Sequence, residues 1–367
     1  MSDLISRLLD LAAAIQQIPA PTFHESARAE FVRTCFSQQG LEEVEIDAVG
    51  NAYGRLAGRQ GPAQAAPLVV SAHLDTVFPA STRLNLQREQ DRMIGPGIGD
   101  NSLGVAALLG LAWSIQEQAR SLAGDLWLVA NVCEEGLGDL RGMRAVVDRF
   151  GDQAGAYIIL EGMGLGQIYH RGLSVQRYRI TVHTPGGHSW VDYGRPSAVH
   201  ELASLSARIT ALPLPEVPRT SLNIGVISGG TTINTIASEA MLELDLRSES
   251  HQVLDSLADQ VERLCRSVER PGVETVTEVI GRRPGGEIAS SHPLVRRAED
   301  CLRSVGIEPH LNIASTDANL PLSRALPAVT VGLTKGGGGH SLLEYVMLEP
   351  VAKGLKQVVE LVNRAWE

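Results

Sequence analysis

The 367-residue sequence predicts an α/β protein: a mixed, largely parallel sheet flanked by helices, interrupted by an inserted ferredoxin-like α+β domain. Three observations carry this. Helical and strand-like patterns alternate through residues 1–171; over 172–286 the pattern becomes strand, helix, strand, strand, helix, strand; over 287–367 the first texture returns. The first domain is therefore expected to be discontinuous, built from 1–171 and 287–367.

In order, Leu4, Leu8, Leu11 and Ile15 space an amphipathic helix over 4–17, and a second helix is expected over 25–38. Short β-branched-rich runs at 68–72, 125–132, 156–160 and 328–333 suit strands buried on both faces, with a helix over 101–118 between the first two. The insert reads as strands at 174–184, 220–230 and 239–248, helices at 198–211 and 251–268, and a last strand ending near Val279. Helices at 294–305 and 348–365 complete the first domain.

A net charge of −10 argues against a nucleic-acid partner, which basic surface would have to hold. The longest apolar or glycine run, Leu103 to Trp113, has eleven residues, short of the roughly 20 that cross a bilayer, so no membrane anchoring is expected. Acids at Asp3 and Asp10 distinguish the first helix from a signal peptide. Cys35, Cys133, Cys265 and Cys301 form no C-x-x-C pair and read as reduced thiols. A cytoplasmic protein is the expectation.

Candidate chemistry gathers just beyond the apolar strands. His73 and Asp75 follow the run at 68–72 and, two apart on an extended chain, face the same way; a metal-binding histidine commonly gives its other ring N–H to a carboxylate, a place open to Asp75. Glu134 and Glu135 follow 125–132, and because adjacent side chains diverge, one can bind a metal while the other serves as general base. Glu161 closes the next strand, and His340 follows 328–333 after a glycine run. Ligands of α/β sheets bind outside the carboxyl ends of the strands. Asp100, between the loop GPGIG and a helix, is either an N-cap, in competition with Asn101 and Ser102, or a further oxygen donor. No strand is seen to feed that loop and no basic residue accompanies it, so a nucleotide fingerprint fits poorly. His73, Asp100, Glu135, Glu161 and His340 supply donors for two zinc-like ions about 3.5–4 Å apart sharing one carboxylate, with Glu134 left as base. Ser341 to Glu344 fits a capping box opening a helix behind His340, and Asp317 and Asn319 in STDAN read as scaffolding.

These residues stand in SAHLDTVFP, GPGIGDNSLGVAALL, CEEGLGDLRG, LEGM, TPGGHSW, INTIASEA, DLRS, STDAN and GGGGHS. Their order resembles, over nearly the whole chain, the zinc exopeptidase and deacylase family that includes carboxypeptidase G, peptidase T, acetylornithine deacetylase, succinyl-diaminopimelate desuccinylase and aminoacylase. The resemblance implies His73, Asp100 and Glu161 on one zinc, and Asp100, Glu135 and His340 on the other. Cobalt or manganese would also suit such donors. It further implies Glu134 as general base, Asp75 orienting His73, and a cis Asp100–Asn101 peptide. The insert would be a lid and a homodimer interface, with His188 polarising the scissile carbonyl, often from the second subunit, and Asn234 and Arg247 holding the substrate carboxylate or the transition state.

The implied reaction is hydrolysis of an amide in a small peptide or N-acyl amino acid carrying a free carboxylate. Within the resemblance, glutamate at position 161 is tied to carboxypeptidases and N-acyl amino-acid deacylases, whereas IPAPTFHE near the start is closer to peptidase T-like aminopeptidases. No G-x-S-x-G elbow offers a serine nucleophile. A catalytically inactive metal-binding protein is the remaining alternative, opposed by the presence of every expected ligand.

Overall fold

The computed structural model describes residues 3–58, 65–118 and 121–367. The chain divides into two compact units: the chain up to Gly172 together with Gly286–Glu367, and Leu173–Gly285.

The first unit is built on a nine-stranded mixed sheet. Its order is Glu42–Ile46, Ala52–Leu56, Gly124–Asn131, Ala65–His73, Ala156–Glu161, Ala328–Gly332, Gln167–Gly172 and Gly286–Glu287, with His310–Ala314 also paired to Gln167–Gly172. The four central strands, Gly124–Asn131 through Ala328–Gly332, run parallel and are almost wholly buried. Apolar side chains on both of their faces demand cover on both sides. Leu103–Glu117 is buried along nearly its whole length, as a helix apolar all round must be. Among the described residues this helix with its first turn, Ile98–Glu117, is the one stretch long and apolar enough to cross a bilayer, and 94% of it is buried in its own fold. The expectation that no segment reaches that length is corrected to that extent.

The second unit is a four-stranded antiparallel sheet in the order Thr220–Gly229, Glu239–Ser248, Ser174–His183, Glu274–Arg283. Helices Ala198–Thr210 and His251–Arg266 cover one face, giving the ferredoxin-like βαββαβ arrangement with its own core of Tyr178, Ile180, Leu202, Leu205, Leu242 and Val261.

Several elements lie outside the sequence reading. Helix Arg141–Phe150 buries Met143, Val146, Val147 and Phe150, an i, i+3, i+4, i+7 stripe that the sequence reading left unassigned. Strands Glu42–Ile46 and Ala52–Leu56 add an antiparallel edge to the sheet. A small four-stranded sheet joins Gly336–Gly337, Tyr345–Met347, Arg92–Ile94 and Gln87–Arg88. Arg92–Ile94 leads directly into the glycine loop at Gly95, contrary to the expectation that no strand feeds it. Ser341 to Glu344 opens no helix: the segment turns into Tyr345–Met347, and the terminal helix starts at Val351.

Candidate active site

The four parallel strands end side by side, and each delivers functional groups at its carboxyl end. Ala65–His73 ends on His73, Gly124–Asn131 leads into Glu134 and Glu135, Ala156–Glu161 ends on Glu161, and Ala328–Gly332 leads to the loop of His340. Asp100 comes from the loop before Leu103–Glu117 and lies between the two imidazoles: its Oδ1 is 3.0 Å from His73 Nε2 and its Oδ2 is 3.1 Å from His340 Nε2. Glu161 Oε2 lies 3.8 Å from His73 Nε2, and Glu135 Oε1 lies 3.4 Å from His340 Nε2.

Three sets of donor atoms each lie within 4.8 Å of one another: His73, Asp100 and Glu161; Asp100, Glu135 and His340; and His73, Glu134 and Glu135. The donor chemistry suits a divalent cation. Imidazole nitrogens and carboxylate oxygens converge, and among the described residues Asp100, Glu135 and Glu161 pair with histidine and not with lysine or arginine. Burial, reinforced by neighbouring carboxylates, raises Glu135 and Glu161 each to about 7. Asp100 moves the other way: burial pushes it up, but hydrogen bonds from His340 and His73 outweigh that and hold it below the usual carboxylate range. Those bonds to Asp100 and Glu135 raise His340 to about 10.

Asp75 is fully buried, and its carboxylate lies in ion-pair reach of His73 while serving further partners. His73 Nδ1 lies 3.0 Å from the Asp75 main-chain carbonyl and 3.6 Å from its Oδ1, so the carbonyl is the ring's hydrogen-bond acceptor. The carboxylate also accepts the main-chain N–H groups of Glu134 at 2.9 Å and Glu135 at 2.8 Å, and the Thr22 hydroxyl at 2.9 Å. It therefore fixes the backbone of both glutamates at once.

The segment after the first helix buttresses the same place, in residues the sequence reading did not single out. Glu25 Oε1 accepts from the N–H of Cys133 at 3.0 Å and of Phe23 at 3.1 Å. Cys133 sits at φ 58, a left-handed conformation uncommon for a residue with a side chain, immediately before Glu134. Arg28 is buried and donates to the carbonyls of Ile18 and Leu74, the latter between His73 and Asp75. Asp317 is also buried, accepting from Asn131 Nδ2 at 2.7 Å, and burial together with the nearby Glu134 charge raises it well above its ordinary value. Thr22 and Glu25 do stand in IPAPTFHE, a local signal, but nothing in their spacing points to partners 53 and 108 residues away.

Asn101 is not a helix cap. Its amide donates to Leu160 O at 2.8 Å and accepts from Gly162 N–H at 2.9 Å, clamping the residues on either side of Glu161. A Cβ on Gly104 would come within 2.0 Å of the Asn101 Oδ1, so the clamp requires glycine there. The Asp100–Asn101 peptide is cis.

In the second unit His188 and Asn234 are neighbours: His188 pairs with Thr235, and Ser189 N–H donates to Asn234 O at 3.0 Å. His188 Nδ1 accepts from the N–H groups of Trp190 at 3.2 Å and Val191 at 3.4 Å. Those donors reserve Nδ1 as acceptor and leave the proton of the neutral ring on Nε2. Beside them an open groove of about 530 Å³ is lined by Pro185, Gly187, Ser228, Thr235 and Ile236. Arg247 is not brought to this end. It lies eight residues beyond Glu239 on the same strand, roughly 26 Å away at strand rise, where its Nε donates to Asp245 Oδ2 at 2.7 Å.

Imidazoles and carboxylates gathered at the carboxyl edge of a parallel sheet, beside a further glutamate, define a metal-dependent hydrolase. Residues 69–364 match peptidase family M20/M25/M40, and the chain belongs to that family. It is 26% identical over 323 residues to the succinyl-diaminopimelate desuccinylase of Gluconacetobacter diazotrophicus, a match covering 82% of this chain and 80% of that one. In fold it resembles a tripeptidase from Staphylococcus aureus, with TM-score 0.81, 21% identity and 99% of each chain covered. Aminopeptidase PepT from Bacillus cereus is similar at TM-score 0.79, 20% identity and 99% of each chain.

Proposed function

We propose that this protein is a two-metal amidohydrolase that cleaves a peptide or N-acyl bond next to a free carboxylate, as a carboxypeptidase or dipeptidase does. The observation carrying this reading is Asp100, which faces His73 with one carboxylate oxygen and His340 with the other. His73, Asp100 and Glu161 would hold one ion and Asp100, Glu135 and His340 the second, zinc being the expected metal and cobalt or manganese alternatives. When bound, such a pair polarises the amide carbonyl and acidifies a water.

Glu134 is the base. It takes the proton of the attacking water at its carboxylate and returns it to the leaving amine, so no covalent intermediate on the protein is needed. Asp75 and Glu25 act through the backbone, fixing where Glu134 and Glu135 leave the chain. His188, with its proton on Nε2, donates a hydrogen bond to the developing oxyanion. Asn234 and Arg247 would bind the substrate carboxylate, for which an arginine fork is geometrically suited.

The inserted unit is read as a lid and homodimer contact. His188 and Arg247 occupy opposite ends of its sheet, so one copy of the unit does not bring both to one small substrate, and a site holding both would need a second copy. Its outer strand Thr220–Gly229 is also largely exposed, with Ile227 uncovered, leaving an edge available for pairing. The four free thiols support a cytoplasmic setting.

A deacylase reading is favoured by the desuccinylase relative, and a peptidase T-like aminopeptidase reading by the tripeptidase-like fold. One assay separates them: release of free amine from dipeptides, tripeptides and N-acetyl or N-succinyl amino acids by zinc- or cobalt-loaded protein, with a chelator control. Chelator-sensitive turnover of one substrate group is the expected result. Silence across the panel with two ions bound would overturn this substrate assignment and point to an unusual amide substrate or to an inactive metal-binding protein.

A further inference from the structure

Asp100 is central to the site, yet the backbone at Asp100 and Asn101 is non-helical, with φ, ψ of −122°, 81° and −137°, 37°. Side chains must hold it. Asn101 ties it to the Glu161 strand on one side. On the other side stands Glu344, whose Oε1 accepts the N–H of Gly99 at 2.6 Å and of Asp100 at 2.8 Å, while its main-chain carbonyl accepts from Gly95 N–H at 2.8 Å. The glycine loop thus does cradle an acceptor oxygen, and that oxygen belongs to the protein's own buried Glu344 side chain. Glu344 Oε2 is buried without a hydrogen-bond partner, so the grip on the loop is what locates this side chain. The contact is close-packed: a Cβ on Gly99 would fall 2.7 Å from Met163 and 2.9 Å from Val346.

Four residues before Glu344 lies His340, at φ 63 and with a side chain 58% exposed. Between them Leu342 and Leu343 are exposed, so packing does little to fix this loop. Its anchors are the two-residue pairing of Gly336–Gly337 with Tyr345 and Val346, and Glu344 itself.

We propose that Glu344 is a positioning residue for the metal pair: by gripping the N–H groups of Gly99 and Asp100 it fixes the separation of Asp100 from His340, and with it the affinity of the ion shared by Asp100, Glu135 and His340. The inference rests on the two-ion reading of the site. What matters on this account is the reach of the side chain and its acceptor oxygen, not its charge.

Two conservative variants separate reach from charge. E344Q keeps the length and a carbonyl acceptor but no charge; E344D keeps the charge one methylene short. Cobalt(II) alone is titrated into metal-free wild type and both variants, with binding read by calorimetry and by the visible cobalt absorption, and the melting temperature of each metal-free protein checks its fold. Wild type is expected to take two ions. E344Q should follow it closely, whereas E344D should bind one of the two about 10–100-fold more weakly, with an altered absorption band. Wild-type affinity for both ions in folded E344D overturns the inference, as does a loss in E344Q equal to or larger than that in E344D. Should E344D fail to fold, Glu344→Ala takes its place, with lost affinity for one ion expected and wild-type affinity for both overturning the inference. A wild type that takes up no cobalt fails the two-ion reading itself, a distinct result.

Discussion

Asp100 has an imidazole nitrogen within 3.1 Å of each carboxylate oxygen, and this crowding sets the acid–base behaviour of the site. Glu135 and Glu161, raised to about 7, and His340, raised to about 10, hold protons that a metal must displace. A raised pKa keeps the proton on to higher pH, so ion affinity should increase with pH. From pH 6 to 8 the apparent Kd for zinc is expected to tighten by about tenfold or more, with proton release visible as a buffer-dependent binding enthalpy. A pH-independent affinity would contradict the ligand set. At the neighbouring pair, Glu134→Ala should retain both ions and lose about 10²–10⁴-fold in kcat, whereas Glu135→Ala should lose metal. Reversed results would exchange their roles, an outcome that the third donor set, His73 with Glu134 and Glu135, makes worth measuring.

At the scale of elements, the loop carrying Glu134 depends on the segment after the first helix. Glu25→Ala removes the acceptor of the buried Cys133 N–H, and should cost about 1–3 kcal/mol in urea denaturation while also lowering kcat at unchanged metal content. Unchanged stability and turnover would show that Cys133 keeps its conformation unaided. This segment also marks where the sequence stops being legible. The buried parallel strands and the groups at their ends could be read because both signals are local: an apolar run, then a ligand-type residue. Contacts closed by the tertiary fold could not. Glu25 meets Cys133 across 108 residues, Asn131 meets Asp317 across 186, and Glu344 meets Gly99 across 245. Ser341 to Glu344 misled for a related reason. A capping box and an irregular turn share the same first four residues, and the chain here runs on into the strand Tyr345–Met347 rather than a helix. Asp75 was half legible: its place beside His73 could be read, but the N–H groups of Glu134 and Glu135 that its carboxylate also holds could not.

Over the whole molecule, the proposed sharing of residues between two copies has a direct test. His188→Ala and Arg247→Ala should each be nearly inactive, yet co-expressed they should recover about a quarter of wild-type activity, because half the dimers are mixed and each mixed dimer has one intact site. No recovery would place both residues in the same subunit's site. The discontinuous sheet has another consequence, which concerns the order of synthesis. Strand Ala328–Gly332 lies between Ala156–Glu161 and Gln167–Gly172, so those two strands leave the ribosome with a vacant slot between them. Leu173–Gly285 has all its strands in hand well before that slot is filled, and is free to close first. His340 emerges later still, only after the slot strand, so the proposed ligand set is completed only after every strand of the parallel core has been made.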